Sequence, residues 1–140
     1  MDEYVRGVGP SKGIAVAAAA DLAWAELVEL DCWPHWGPSV RGARLDDGTR
    51  RLSAGATGSV QTAVGLWLPF RVDDWYDDGT RRSWTWRVAG VPATGHTVTS
   101  TGPSSCRVEM GVPWWAPAYL GVVALALPRI RRRAEDRARG

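Results

Sequence analysis

The sequence predicts a single α+β domain in which a curved antiparallel sheet of about seven strands packs against a long C-terminal helix. Two observations lead to this prediction. From Val40 onward, short segments alternate apolar and polar residues and are separated by turn sequences, with no helical pattern between them. Residues 114–138 are apolar first and arginine-rich later, which is typical of a helix. An apolar sheet face has to be covered, and this helix is the element large enough to cover it.

The N-terminal part of the chain is expected to contribute one strand and a short helical pair. Residues 1–10 end in glycine and proline and are interpreted as a flexible lead-in to a domain that spans 11–140. Residues 12–17 are partly β-branched and are predicted as the first strand. Asp21 is a suitable N-cap for the helix that follows. The proline-containing segment 32–38 then allows only a turn or a short second helix.

Six further strands and the final helix complete the predicted order. The Asp-Asp-Gly sequences at 46–48 and 77–79 are turn signals between strands. Pro113 should end the sheet. Pro117 falls near the first turn of the final helix, where proline is tolerated, whereas Pro128 predicts a kink or a break between two helical pieces. The strands are predicted at residues 40–45, 57–64, 66–76, 82–88, 96–100 and 106–110.

Tryptophan is unusually frequent, since nine tryptophans stand against one phenylalanine in 140 residues. Tryptophan is large and rarely buried completely, so nine in one small domain indicate a thick aromatic core, a lined cavity, or both. A chain of this length buries roughly two thirds of its unfolded surface and can hold a core without disulfides or metal. The net charge of +2 is too small to indicate nucleic-acid binding.

The basic residues are concentrated at the C-terminus, where six arginines occur between 129 and 139. Such a tail can contact anionic lipid, or it can be a solvated helix end whose cations complement the helix dipole. The run 112–128 holds seventeen residues without a charge, close to the roughly 20 that a membrane span needs. Its three prolines, and the uncovered sheet that its removal would leave, argue against a span. Peripheral membrane contact stays open.

Cys32 and Cys106 are too few for a disulfide framework, and the acidic N-terminus lacks the basic start and apolar core of a signal peptide. A cytoplasmic location with both thiols free is therefore expected. Cys32 and His35 have ligand spacing and, with His96 and Cys106, could complete a zinc set. Because the two pairs lie in different elements, the turn around Cys32 is interpreted as a packed elbow. Neither a metal nor another cofactor is predicted.

The order of the elements and the residues that they carry resemble a known superfamily. A helix that ends in a tryptophan-proline-x-tryptophan turn is followed by strands with a tryptophan pair and a histidine. In this order the segments resemble the START-like (SRPBCC) superfamily with the helix-grip fold, and within it bacterial proteins named after polyketide cyclases and dehydrases. The resemblance covers nearly the whole chain. The segments that carry it are 20–27, 31–36, 55–60, 68–72, 83–86 and 96–98.

The resemblance implies a deep cavity between the sheet and the final helix that accepts lipids, polyketides, sterols or other hydrophobic molecules. Members of the superfamily include carriers, ligand sensors and a few enzymes that cyclise or dehydrate polyketides. The fold alone does not choose among these activities.

The strand pattern predicts the wall of this cavity. If the strands pair in sequence order, their alternating residues share one face, and the final helix adds side chains that point toward it. Such a surface is mostly apolar and carries only a few polar side-chain groups, as in most small-molecule sites. Cys106, Val122 and Ala126 belong to the same surface. The predicted ligand-binding residues are Trp33, Trp36, Trp67, Phe70, Trp84, Trp86, His96, Val98, Val108, Met110, Tyr119 and Val123.

His96 is the most chemically versatile residue of this wall. An inward-facing histidine can act as a general base or orient a carbonyl, with Tyr119 or Tyr76 as a partner. It can equally be a neutral core histidine that bonds a hydroxyl or a backbone group. No catalytic triad is recognisable, so His96 and Tyr119 are kept as candidate catalytic residues for the enzymatic alternative.

The sequence therefore predicts a protein that binds a lipid, a polyketide or an aromatic compound between sheet and helix, as a monomer or a homodimer. Two alternatives stay open. One is a polyketide cyclase or dehydratase that uses His96. The other is a membrane-peripheral lipid-binding protein that uses the arginine-rich C-terminus.

Overall fold

The computed structural model describes residues 8–140 and shows a seven-stranded antiparallel sheet with the strand order β1-β7-β6-β5-β4-β3-β2. The predicted α+β class and the cover of the sheet by a long C-terminal helix are confirmed. Single 3₁₀ turns at Leu30–Cys32 and Pro117–Tyr119 precede α2 and α3. The elements are β1 (Val8–Val16), α1 (Ala20–Val28), α2 (Trp33–Trp36), β2 (Val40–Leu45), β3 (Thr57–Thr62), β4 (Trp67–Asp77), β5 (Arg81–Val88), β6 (Val91–Gly102), β7 (Ser105–Pro113) and α3 (Leu120–Arg139).

The first strand begins at Val8, four residues before the predicted strand at 12–17. It pairs with β7, and this pairing brings Gly9 against the backbone of Trp114. A Cβ atom at Gly9 would lie 2.7 Å from the Trp114 Cα atom, so only glycine fits. The rest of the predicted lead-in, residues 1–7, lies outside the described residues.

The predicted capping role of Asp21 is wrong. Ala19 is the N-cap of α1, and no side chain caps the helix. Asp21 lies in the first turn and forms an ion pair with Arg82 of β5, with 2.6 Å between the guanidinium and carboxylate atoms. The negative charge of Asp21 in the first turn still interacts favourably with the positive end of the helix dipole. The ion pair with Arg82 also connects α1 to the sheet.

The final helix is shorter at its start than predicted and continuous where a break was expected. It begins at Leu120, after the 3₁₀ turn that contains Pro117. Pro128 lies inside α3, which runs as one helix to Arg139, so the predicted division into two pieces is wrong. Proline removes one helical hydrogen bond. Buried Leu127 and Ile130 on either side hold both halves of α3 in the core.

The β5–β6 hairpin extends beyond the predicted strands and shapes one end of the sheet. Val88 pairs with Val91, which leaves Ala89 and Gly90 as a two-residue turn. Both have positive φ angles, 52° and 80°, as a type I′ hairpin turn requires. Because β6 starts at Val91 and not near residue 96, Thr94 becomes a strand residue on the inner face, where it is buried.

An aromatic cluster fills the centre of the domain between the sheet and the helices. Trp33 of α2 stacks on Trp84 with ring centroids 5.9 Å apart and meets Phe70 and Trp86 edge-on or tilted. Trp84 in turn stacks on His96 at 3.9 Å. The indole nitrogen of Trp33 donates a hydrogen bond to the Leu27 carbonyl at 2.9 Å, so even the polar atom of this buried ring is satisfied.

A buried carboxylate joins α1 to α3. Glu26 has no exposed surface, and its carboxylate contacts the guanidinium groups of Arg133 at 2.6 Å and Arg137 at 3.1 Å. The two arginines are one helical turn apart on α3, which is the spacing that brings both to one neighbour. Part of the arginine-rich C-terminus therefore stabilises the fold. Arg139 pairs with Asp136, whereas Arg131 and Arg132 are exposed.

Candidate ligand-binding site

The space inside the domain is divided into a small inner cavity and a larger outer pocket. The inner cavity, about 30 Å³, lies beside the aromatic cluster and has room for one or two water molecules. It is lined by Trp33, Trp36, Gly37, Ser39, Val40, Trp84, Trp86, Thr94, His96, Met110, Tyr119, Val122, Val123 and Ala126. The tryptophans therefore fill the middle of the domain and leave little space for a ligand there.

The outer pocket, about 450 Å³, opens at the end of the sheet where the β3–β4 and β5–β6 turns meet the loop before α3. This volume lies within the range of small-molecule sites. Its wall is built mainly of alanine, valine and tryptophan. The lining residues are Ser39, Val40, Val60, Thr62, Ala63, Val64, Trp86, Val88, Ala93, Thr94, Pro113, Trp115, Ala116 and Tyr119.

A hydrogen bond between Ser39 and Tyr119 stands where the two spaces adjoin. Their hydroxyl oxygens are 2.6 Å apart, and both residues line both spaces. Val40, Trp86 and Thr94 are also shared between the two linings. These five residues thus form the partition between the inner cavity and the outer pocket.

The buried polar groups beside the partition form one hydrogen-bonded chain. The Nδ1 atom of His96 lies 3.3 Å from the Trp84 carbonyl oxygen, which can only accept, so Nδ1 carries the proton. The Nε2 atom therefore accepts from the Thr94 hydroxyl at 2.9 Å. The Thr94 oxygen in turn accepts from the Trp86 indole nitrogen at 3.1 Å. Both imidazole nitrogens are thus engaged by protein groups.

His96 is held in its neutral form. Desolvation by complete burial lowers the pKa of His96 to about 3, against a small opposing effect from the Trp84 carbonyl. A neutral imidazole that already has two hydrogen-bond partners matches the core-histidine interpretation better than that of a general base. The hydroxyl of Tyr119, the other candidate catalytic group, is likewise bonded to Ser39.

The burial of neutral His96 should make folding depend on pH. In the unfolded chain a histidine takes up a proton below its ordinary pKa of 6.5, whereas His96 in the folded chain stays neutral down to about 3. Its contribution to stability is therefore complete above pH 6.5 and is lost as the pH falls toward 3. The advantage of the wild type over His96→Gln should shrink by about 1.4 kcal/mol per pH unit in this window.

The measurement is urea unfolding of both proteins in a pH series, with the variant as the reference for all other titrating groups. A wild-type advantage that stays constant between pH 7 and 4 would contradict the neutral burial of His96.

The predicted ligand-binding residues divide into three groups. Trp33, Trp36, Trp84, Trp86, His96, Met110, Tyr119 and Val123 line the inner cavity, and of these Trp86 and Tyr119 also line the outer pocket. Phe70, Val98 and Val108 are buried core residues. Trp67 is not a wall residue: it lies on the opposite face of β4, is 39% exposed and packs under the Arg44 guanidinium at 4.3 Å.

Most of the outer pocket was missed at the level of the sequence. Its lining includes Ala63, Ala93 and Ala116, and small residues create space without a strong hydrophobic pattern. The β3–β4 turn supplies Val64, which is 86% exposed and had been predicted to lie within a strand. The one available signal was Trp115, an aromatic residue in a proline-flanked apolar segment.

Exposed apolar side chains lie on the two turns and the loop that border the outer pocket, and two of them, Val64 and Trp115, line it. Val64 and Leu66 project from the β3–β4 turn and Val91 follows the β5–β6 turn, while Trp114 and Trp115 lie in the loop before α3. Contiguous exposed apolar residues mark interaction sites more often than isolated ones do. Val64 and Trp115 place the apolar entrance of the outer pocket at the end of the sheet, away from the arginines in the second half of α3.

The two thiols and the histidines do not form a metal site. In residues 8–140, no group of three or more His, Cys, Asp or Glu side chains is arranged to hold a metal ion. Burial raises the pKa of Cys106 to about 11 and, with the charge of Glu26, raises that of Cys32. Both thiols are free and buried. No helix among the described residues has the length and apolar character to cross a membrane.

No family model and no curated protein matches the sequence. Solved structures do match. The protein XoxI from Bacillus cereus has a TM-score of 0.63 at 14% identity, covering 91% of this chain and 95% of that one. A STAR-related lipid transfer protein fragment from Xanthomonas axonopodis has a TM-score of 0.63 at 12% identity, covering 89% and 84%. The chain has a START-like fold.

A third structure with this START-like fold is that of a protein from a biosynthetic locus. DynU16, a protein of the dynemicin biosynthetic locus, has a TM-score of 0.58 at 19% identity, covering 89% of this chain and 46% of that one. At these identities the likeness establishes the START-like fold and not its ligand.

Proposed function

We propose that this START-like domain binds a hydrophobic small molecule in the outer pocket and does not transform it. The observation that carries the proposal is the outer pocket itself, about 450 Å³ in volume and walled mainly by alanine, valine and tryptophan. Apolar walls with a few convergent polar groups are the usual make-up of a ligand site. The STAR-related lipid transfer protein among the structural neighbours supports a ligand of this kind.

The alternative of a cyclase or dehydratase has less support. His96 lines the inner cavity and not the outer pocket, and both its nitrogens are bonded within the protein. A general base needs a free lone pair within reach of the proton that it removes. A binding role needs only the apolar space.

Binding should be blocked by a large side chain placed in the outer pocket. We expect wild-type protein to bind the neutral fluorophore N-phenyl-1-naphthylamine, with a change in the fluorescence of Trp86 and Trp115 and an increase in Tm. At a hundredfold excess over Kd, a bound ligand stabilises the fold by about 2.7 kcal/mol. Ala93→Trp should lose at least about tenfold in affinity, because the indole would occupy part of the pocket.

The matched control is Ala138→Trp, which adds the same side chain at an exposed position near the end of α3. It should bind the fluorophore as the wild type does. Equal affinity in Ala93→Trp and Ala138→Trp, or no binding by the wild type, would overturn the proposed function.

A further inference from the structure

We propose that the outer pocket selects an electrically neutral ligand that carries a hydroxyl group at its inner end. This proposal rests on the proposed function and names the chemical class of the ligand. Its first support is the wall: none of the described residues that line the pocket is charged. Its second support is the position of the hydroxyl groups: those of Ser39, Thr94 and Tyr119 lie at the partition with the inner cavity. The remaining hydroxyl of the lining, that of Thr62, already accepts a hydrogen bond from the Leu66 backbone.

A charged ligand group would be poorly accommodated in the pocket. Transfer of a carboxylate or ammonium group from water into a protein interior costs several kcal/mol unless a counter-charge and hydrogen bonds compensate. The wall supplies no counter-charge. Near the pocket, the guanidinium group of Arg41 lies by Gly65 in the β3–β4 turn, but Arg41 is exposed and is not part of the wall.

The partition offers a hydrogen-bond donor. Ser39 and Tyr119 share one hydrogen bond across 2.6 Å, in which either hydroxyl can be the donor. Whichever group donates, the hydrogen of the second hydroxyl is left over, because each hydroxyl has one hydrogen. Both residues line the outer pocket, so this hydrogen is available to an oxygen atom of the ligand.

The partition also offers an acceptor. The Thr94 hydroxyl donates to His96 and accepts from Trp86, and a hydroxyl oxygen has two lone pairs. One lone pair of Thr94 is therefore left over beside the pocket. This assignment follows from the protonated Nδ1 atom of His96, which obliges Thr94 to donate. A donor and an acceptor on the same partition match an alcohol, which both accepts and donates, better than an ether or a carbonyl, which only accept.

The test compares ligands with the same ten-carbon chain and different ends. Decanol, decyl methyl ether, decanoate and decylammonium are titrated at a pH of about 8 against wild-type protein loaded with N-phenyl-1-naphthylamine. We expect decanol to displace the fluorophore at concentrations about tenfold lower than either ion, and several-fold lower than the ether. Thr94→Val should remove the advantage of decanol over the ether.

Because Thr94→Val also removes the partner of buried His96 and can weaken the fold, the double variant Ser39→Ala/Tyr119→Phe gives an independent test of the donor. It removes both hydroxyl hydrogens of the partition. It should raise the concentrations of decanol and of the ether that displace the fluorophore, each expressed relative to the Kd of the fluorophore measured in the same variant. Equal displacement by all four chains, displacement by none, or tightest binding of decanoate would overturn the inference. In each of those cases the fluorophore itself still binds, whereas failure of the proposed function would leave the fluorophore unbound.

Discussion

Replacing Trp33 with alanine is expected to lower the free energy of unfolding by about 3–5 kcal/mol. Trp33 is 2% exposed and contacts Phe70, Trp84 and Trp86, so its removal leaves a large void at the centre of the aromatic cluster. Loss of the indole also leaves the Leu27 carbonyl without its hydrogen bond. The measurement is equilibrium unfolding in urea, followed by far-ultraviolet circular dichroism.

The matched control for Trp33 is Trp67→Ala. Trp67 is 39% exposed on the outer face of the sheet, and its replacement by alanine removes mainly the contact with the Arg44 guanidinium. Its replacement should cost about 1 kcal/mol or less. Similar losses for the two variants would contradict the central position of Trp33.

Removing both cations from Glu26 is expected to cost about 3 kcal/mol or more in the free energy of unfolding. In Arg133→Leu/Arg137→Leu the Glu26 carboxylate would stay fully buried with no counter-charge. The reverse change, Glu26→Gln, should cost less, about 1–2 kcal/mol, because the two arginine side chains are about one third exposed and can turn to water. Urea unfolding of both variants at neutral pH gives the comparison.

Arg131→Leu/Arg132→Leu is the control for this second prediction. It removes the same charge from the same helix at exposed positions, and its effect should stay within about 0.5 kcal/mol per site. If the two double variants were equally destabilised, the arginine-rich segment would act through its total charge and not through Glu26.

Residue alternation was sufficient to predict the sheet and its inner face. Trp84, His96 and Met110 stand opposite one another on β5, β6 and β7, and all three are buried, as their positions in alternating segments require. The long apolar segment that precedes the arginines was enough to predict the helix that covers the sheet. These features depend on hydrophobic period, which the sequence displays directly.

Trp67 could have been assigned correctly from the same period. Phe70 and Val72 are buried on the inner face of β4, and Trp67 is three residues from Phe70, so a regular strand places them on opposite faces.

The location of the outer pocket could not be predicted in this way. It depends on where the β5–β6 hairpin ends, on the 3₁₀ turn that delays the start of α3, and on alanines that leave space. An alanine contributes the same to the hydrophobic pattern of an apolar segment whether it packs against a neighbour or faces a cavity. Only the three-dimensional arrangement distinguishes the two.

The most direct test of the central claim is a crystal structure of the protein with 10-bromodecanol, in which the bromine is located by its anomalous signal. We predict one molecule per chain in the outer pocket, with its hydroxyl beside Tyr119 and Thr94 and its bromine toward Val64 and Trp115. A bromine found only on the outer surface of the protein, with the pocket empty or filled by side chains, would contradict the claim.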